Sequence, residues 1–410
     1  MNPEHVISQE PRTRKRGKNA PRVAIVAAGA GARGAFEAGA LSVLVPWLAK
    51  HKLRPTVFVG TSAGSINASL LASTADLEPD DAGDRLLAFW RSLTVRSVYR
   101  SPLVTGPGAV AAYVGQLFGQ SHVVSLLDTT PLIGFAEQTL APYVGPLRSN
   151  LESGLVQGLA VAATDASERT TVFADLARGV RLPGTNRGRA IDYRATEVTF
   201  KHVLASSAIP VLFRPVEIDG EYYVDGSVRL NAPLAPAVAL GATHVVAVAT
   251  HPESYPAAAP PAQPQQRPPD LVDSIVSVLG SLLADRMSED LHTLDKLNAN
   301  ANGGPARLIP RLFVGPKTRH ELGELAAKVY GERHHGRRVV NELDFRAFHA
   351  LVGARERGNG DLLSYLFFDE AFLEAAIQLG IRYARNKTGG AAPWQPSSAV
   401  AQPASTSTAP

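Results

Sequence analysis

Ser62 sits in GTSAG, residues 60–64, a G-x-S-x-G pattern in which Gly60 and Gly64 flank the hydroxyl. The apolar run PTVFVG leads into it and SAGSINASLLAS follows, so Ser62 falls where a strand turns into a helix. A nucleophilic serine needs that setting: a sharp, exposed turn with small neighbours that let strand and helix close around the bend. A second stretch, AGAGARGAFEAG at 28–39, has Gly29, Gly31 and Gly34 in G-x-G-x-x-G spacing, with Ala30, Ala32 and Arg33 between them. Backbone N–H groups at the start of a helix bind anions, and they would serve equally a dinucleotide pyrophosphate or the oxyanion of an acyl transfer.

The residues downstream favour the second use. A dinucleotide fold calls for an Asp or Glu about 20 residues beyond the glycines, to hold the ribose. Here the region reads AKHKLRPTVFVGTSAG, with Lys50, Lys52 and Arg54 and no carboxylate, and the end of the second strand is occupied by Ser62. Arg33 could anchor a phosphate or fix the loop through a salt bridge, and the sequence leaves both open. The serine also needs a base. Asp225-Gly226, in YYVDGSVRLNAPL, follows a β-rich segment; a lone Asp-Gly is more often a tight turn than a base. Among the eleven histidines none sits in an obvious motif. His244 and His251 flank an apolar run, and His334-His335 lie in a charged one.

The three motifs in this order resemble the patatin-like phospholipase family, and FKHVLASSAIPVLFRPVEIDGEYYVDGSV resembles that family's approach to its aspartate. The resemblance covers roughly residues 22–250. It implies a three-layer α/β/α fold with a helical cap insertion and a C-terminal helical extension. It also implies hydrolysis of lipid acyl esters by a Ser-Asp dyad without histidine. Carried over, Ser62 is the nucleophile, Asp225 the general base supported by Gly226, and the N–H groups around Gly31 and Ala32 the oxyanion donors. Two positions depart from the family pattern: Ala30 takes the middle of what is commonly a glycine triplet, and Ser227 stands where Gly or Ala is usual. A Cβ at residue 30 requires that backbone to keep a negative φ. The other readings are a lipid-binding protein of the same fold with weak catalysis, a Ser-Asp-His α/β-hydrolase, and a dinucleotide oxidoreductase. Ser62 comes early for the α/β-hydrolase, which has several strands before its elbow.

The elements around the motifs follow from periodicity. RVAIVAA, 22–28, reads as a buried parallel strand, and Phe36, Ala40, Leu41, Leu44 and Leu48 mark one face of a helix over 34–50. Further strands are read at 55–60, 156–165, 169–175, 243–251 and 311–316, and a hairpin over 216–227 turning at Asp219-Gly220. Thr196 is expected to open a helix running to 209 before Pro210, and long helical spacing appears at 271–300 and 362–386. The domain reading is a basic tail at 1–20, a core at 21–251 with a cap at 76–150, a proline-rich loop at 252–270, a helical extension at 271–387 and a low-complexity tail at 388–410.

Composition bounds the rest. Hydrophobic residues make up 45%, enough for a sizeable core. Residues 1–22 carry six basic side chains against Glu4 and Glu10, a surplus that equals the +4 of the whole chain. Such a tail suits a solubilising role or acidic lipid headgroups. The absence of cysteine excludes disulfides, thiolate catalysis and cysteine-bound zinc. No apolar run approaches the about 18 residues of a spanning helix. RTRKRGKNAPRVAIVAAGAGA imitates an export leader, but cleavage would remove the glycine loop, so the run is read as a strand. No cofactor, metal or nucleic acid is expected. The expected partner is a phospholipid or acylglycerol at a membrane surface, and the expected location cytoplasmic or peripheral to a membrane.

Overall fold

The computed structural model describes residues 21–100, 125, 127–254, 287–300, 308–334, 359–390 and 393–395. The amino-terminal tail, the larger part of the proline-rich loop and the part of the expected cap at 101–124 lie outside the described residues, as does 271–286.

The first strand, β1 (Val23–Ala27), is wholly buried. A 3-10 turn (Gly31–Arg33) leads from it into α1 (Gly34–Lys50), then β2 (Pro55–Thr61) and α2 (Ala63–Ser73). An insertion of helices follows: α3 (Pro79–Ser92), α4 (Val95–Val98), α5 (Thr130–Thr139) and α6 (Val144–Glu152). The chain returns through β3 (Gly158–Asp165), β4 (Thr170–Leu176), β5 (Ile191–Ala195), α7 (Phe200–Ser206), β6 (Val216–Ile218) and β7 (Glu221–Asp225). It continues with α8 (Leu234–Ala239), β8 (His244–Val248), α9 (Met287–Asn300), β9 (Arg311–Val314), α10 (Glu321–His334), α11 (Asn359–Leu366) and α12 (Glu370–Thr388).

The strands form one mostly parallel sheet in the order β5-β4-β3-β2-β1-β8-β9, with β7 on β3 and β6 on β7. Alternate residues of each strand face opposite sides. Val23, Ile25 and Phe58 enter one hydrophobic layer with α1 and α2, and Ala24, Val26, Val57 and Val59 enter the other with α8 and α9. This is the expected three-layer α/β/α fold, with helices inserted before β3 and helices at the C-terminal end.

The structure also departs from the expectations. The helix read from Thr196 starts at Phe200, because Thr196 N–H still donates to Ala174 O (3.0 Å) and Val198 N–H to Asp175 Oδ2 (2.9 Å). The stretch 362–386 is two helices. Asp369 Oδ1 accepts from Ala371 N–H (2.9 Å), capping α12 and ending the run that α11 began. β5 and α10 were not anticipated. The strand read at 311–316 is β9, shorter by two residues, and it extends the sheet beside β8. In the low-complexity tail, Gln395 N–H donates to Arg311 O (2.8 Å) and Trp394 lies against His244.

α1 is buried on more than the face its sequence marks. α12 covers Gly39, and Asn67 of α2 and the Ala28 N–H cover Glu37, so both are buried like Leu41. A Cβ on Gly380 would come within 2.0 Å of Phe36 O, so the two helices meet backbone to backbone. Among the described residues, no helix is long and apolar enough to cross a membrane.

Candidate active site

Strand register brings the two motifs together. β2 runs beside β3 until Thr61 lies opposite Ala162. There the chain turns off into α2, and β7 takes the vacated place along β3 with Asp225 opposite Ala163. Ser62 and Asp225 thus occupy successive positions on the same edge of β3. Ser62 Oγ donates to Asp225 Oδ2 at 2.7 Å.

Ser62 has φ 52° and ψ −130°, in the left-handed region a side-chain-bearing residue rarely adopts. The surroundings hold it there. Its N–H donates to Ser206 Oγ (2.8 Å), Ser206 Oγ–H donates to Ala162 O (2.6 Å), and Ser65 N–H closes the turn on Ser62 O (2.8 Å). A Cβ on Gly60 would lie 2.2 Å from Gly64 O, and one on Gly64 2.3 Å from Ala27 O. Both flanking glycines are therefore required by close approach, as the motif predicts.

Asp225 is fully buried. Oδ1 accepts from Ser227 N–H (2.7 Å), and Gly226 opens the 3-10 turn that supplies this donor. Burial pushes the carboxyl up to about 6, and the hydrogen bonds from Ser62 and Ser227 pull the other way. A carboxylate in that range accepts a proton more readily than an exposed one.

The glycine loop lies at the carboxyl end of β1. Gly29 N–H donates to Asn231 Oδ1 (2.6 Å), and Gly34 begins α1 beside Trp90. Ala30 has φ −143°, the negative value its Cβ requires. Gly31 has φ +53°, and a Cβ there would lie 2.3 Å from Tyr365 O. Arg33 N–H donates to Ala30 O and Gly34 N–H to Gly31 O, so the helical ladder starts at Arg33. The N–H groups of Gly31 and Ala32 lie ahead of it, where a helix start leaves donors available. Arg33 itself is enclosed: its side chain has no exposure and pairs with Asp361 (2.8 Å). Of the two roles left open for it, this is the salt bridge.

Gly31 and Ser62 both line an apolar pocket of about 600 Å3 including its mouth. Its walls come from the helical insertion (Phe89, Trp90, Leu132, Phe135), from Phe213 and from Phe368. The arrangement puts a hydroxyl on a strained turn, a buried carboxylate behind it, backbone donors beside it and apolar walls in front. Chemically it suits attack by the hydroxyl on a carbonyl presented against those walls.

Sequence reading missed several supporting residues. Ser206 lies inside the stretch quoted for its resemblance, but its side chain carries no motif of its own. Glu37 accepts from Ala28 N–H (3.1 Å) and Asn67 Nδ2 (3.0 Å), and Asn67 Oδ1 accepts from Trp90 Nε1 (2.7 Å), a buried chain linking the glycine loop to three helices. Asn231, Asp361, Ser364 and Tyr365 were missed because they are distant in sequence. Of the histidines singled out in the sequence, His244 packs on Trp394, His251 is buried, its ring held neutral chiefly by burial with the Arg33 charge adding to it, and His335 is outside the described residues. Among the described residues no cluster of three or more His, Asp or Glu could hold a metal.

A sequence model of the family described as patatin-like phospholipase matches residues 25–238, just over half of the chain. No curated protein matches. Among solved structures, VipD from Legionella pneumophila is similar at 13% identity and TM-score 0.29, over 84% of this chain and 66% of that one. Human GIVD cytosolic phospholipase A2 is similar at 11% identity and TM-score 0.34, over 90% of this chain and 60% of that one. The chain therefore spans less than two thirds of either protein. At these scores the likeness is distant, and the activities of those proteins are not carried across.

Proposed function

Because the chain belongs to the patatin-like phospholipase family, we propose that it is a serine hydrolase of lipid acyl esters, with Ser62 as nucleophile and Asp225 as general base. The observation that carries this reading is the 2.7 Å hydrogen bond from the Oγ of Ser62, which lines an apolar pocket, to a fully buried Asp225.

The acyl chain of a phospholipid or acylglycerol enters the apolar pocket with its ester carbonyl against Ser62. Ser62 Oγ attacks the carbonyl carbon while Asp225 takes the hydroxyl proton. The N–H groups of Gly31 and Ala32 stabilise the negative oxygen of the tetrahedral intermediate, with the dipole of the following helix behind them. The carbon–oxygen bond breaks, protonated Asp225 returns its proton to the departing alcohol, and an acyl-Ser62 ester remains. A water then repeats the sequence, with Asp225 as base, and releases the fatty acid. The substrate side of this account is a membrane or lipid aggregate met peripherally, and the chemistry needs no cofactor.

The test is incubation of the full chain with mixed phospholipids and acylglycerols, followed by mass spectrometry of fatty acids and lyso-products. Wild type should release both, and Ser62→Ala and Asp225→Asn should each fall to background while staying folded. Dyad members act as a unit, so the double variant should be little worse than either single one. Product release by folded Ser62→Ala would contradict the reading.

A further inference from the structure

The segment covering the glycine loop lies outside the stretch matched to the family. Gly31–Arg33 carries the donors that would meet an oxyanion, and α11 lies directly over it, more than 300 residues later in sequence. Three hydrogen bonds, a cation–π contact and a close backbone approach tie them together. Arg33 Nε donates to Ser364 Oγ (2.7 Å), and Arg33 Nη2 donates to Asp361 Oδ1 (2.8 Å) and Asp361 O (3.0 Å). The guanidinium carbon lies 4.1 Å from the centre of the Tyr365 ring. Tyr365 O sits where a Cβ on Gly31 would go.

Every one of these partners acts on the loop and none on the pocket's polar pair. Arg33 is bonded through a planar fork that fixes direction as well as distance. Asp361 is itself braced, since its other oxygen, Oδ2, is bonded to His320 Nδ1. Ser364 Oγ–H donates to Asp361 O (2.6 Å), so the receptor for Arg33 is preassembled on one helical turn. The far end of α11 is anchored too, because Tyr99 Oη–H of the helical insertion donates to Leu366 O (3.0 Å), and Phe368 just beyond reaches the pocket.

We infer that Asp361 and Ser364 are positioning residues for the proposed oxyanion turn, acting through Arg33 to fix the aim of the Gly31 and Ala32 N–H groups. The inference rests on the acyl-hydrolase reading, because only there does the aim of these donors matter. Preorganised donors work through placement, and displacement by about 1 Å can cost on the order of 100-fold in rate. A mere stabilising clamp would lower melting temperature and leave the chemistry of folded molecules untouched.

The experiment uses the full chain with three variants: Asp361→Asn, which keeps shape and removes the charge, Asp361→Asn combined with Ser364→Ala, and the conservative Asp361→Glu. The end-point of labelling by a fluorophosphonate counts intact Ser62 sites, and kcat and KM are measured on a short-chain p-nitrophenyl ester. The expected result is a fall in kcat per labelled site of at least about 10-fold in the double variant, with KM within about twofold. Asp361→Asn should fall between it and wild type, and Asp361→Glu should recover part of the loss. Unchanged kcat per labelled site would overturn the inference, as would a raised KM with kcat intact, which would make α11 part of the pocket wall. A folded wild type that neither labels nor turns over would fail the hydrolase reading itself, and that outcome is seen before any variant is compared.

Discussion

At the residue scale the account depends on one carboxylate kept out of water. Asp225 has a pKa pushed up to about 6 by burial, against an ordinary 3.8. As the base of the free enzyme it must be deprotonated, so kcat/KM on a soluble ester should be flat above neutrality and fall as pH drops through about 6. A profile that stays flat to pH about 5 would show that no group so perturbed is required. The same burial bears on stability, with a definite sign. A folded-state pKa above the unfolded one means that the native state binds this proton more tightly. The stability from this group is fully present below 3.8 and is lost as pH rises through about 6. Above that, the buried charge costs on the order of 3 kcal/mol. Asp225→Asn should therefore melt no lower than wild type at pH about 7.5 while losing activity, a pairing expected where function opposes stability. The advantage should shrink as pH approaches the carboxyl's ordinary range, and thermal melts across pH check this. A variant that melts well below wild type at neutral pH would show that Asp225 is held for the fold.

At the element scale the decisive contacts are helix ends and helix crossings. Gly380 in α12 meets Phe36 O of α1, and Gly39 meets Ile377 O. Gly→Ala inside a helix ordinarily stabilises by up to about 1 kcal/mol. At Gly380 the sign should reverse, because the new methyl would lie 2.0 Å from a backbone oxygen. Overpacking of this kind costs about 1–3 kcal/mol, so Gly380→Ala should lower the melting temperature by a few degrees. An unchanged or higher melting point would mean that the helices can part freely. These contacts also explain what sequence reading could see. The bounds of α1 were legible because Gly34 marks its start and the apolar rhythm stops after Leu48, before the polar run Lys50–Lys52. Its second buried face was not, since Gly39 looks like a surface residue until α12 is placed, and Glu37 until α2 brings Asn67 to it. β5 alternates, with Ile191, Tyr193 and Ala195 set between Asp192 and Arg194, but it was missed because five residues with two charges are too short and polar a run to stand out. The break at Asp369 was missed because Phe367 and Phe368 continue the apolar run straight through it.

At the scale of the whole molecule, residues brought together from both ends of the chain surround one pocket. Ser62 and Asp225 were legible as motifs, but their meeting depends on the register of β2 and β7 along β3, which no local pattern encodes. The share of the C-terminal part was illegible for the same reason. The strand at 311–316 could be read but not its place beside β8, nor that α12 covers α1 and α11 lies over the glycine loop. A chain ended after residue 254 would keep the family-matched stretch but expose the outer face of α1 and the edge of β8. It should be insoluble or inactive, and expression with ester turnover checks this; full activity would show that the C-terminal part is dispensable. The central claim is that Ser62, activated by Asp225, attacks an acyl carbonyl. The most direct measurement is intact mass and peptide mapping after reaction of the full chain with a lipid-like fluorophosphonate. The account predicts one adduct, on Ser62, absent in Ser62→Ala and formed far more slowly in Asp225→Asn. A folded wild-type protein that takes no adduct, or takes it on another residue, would contradict it.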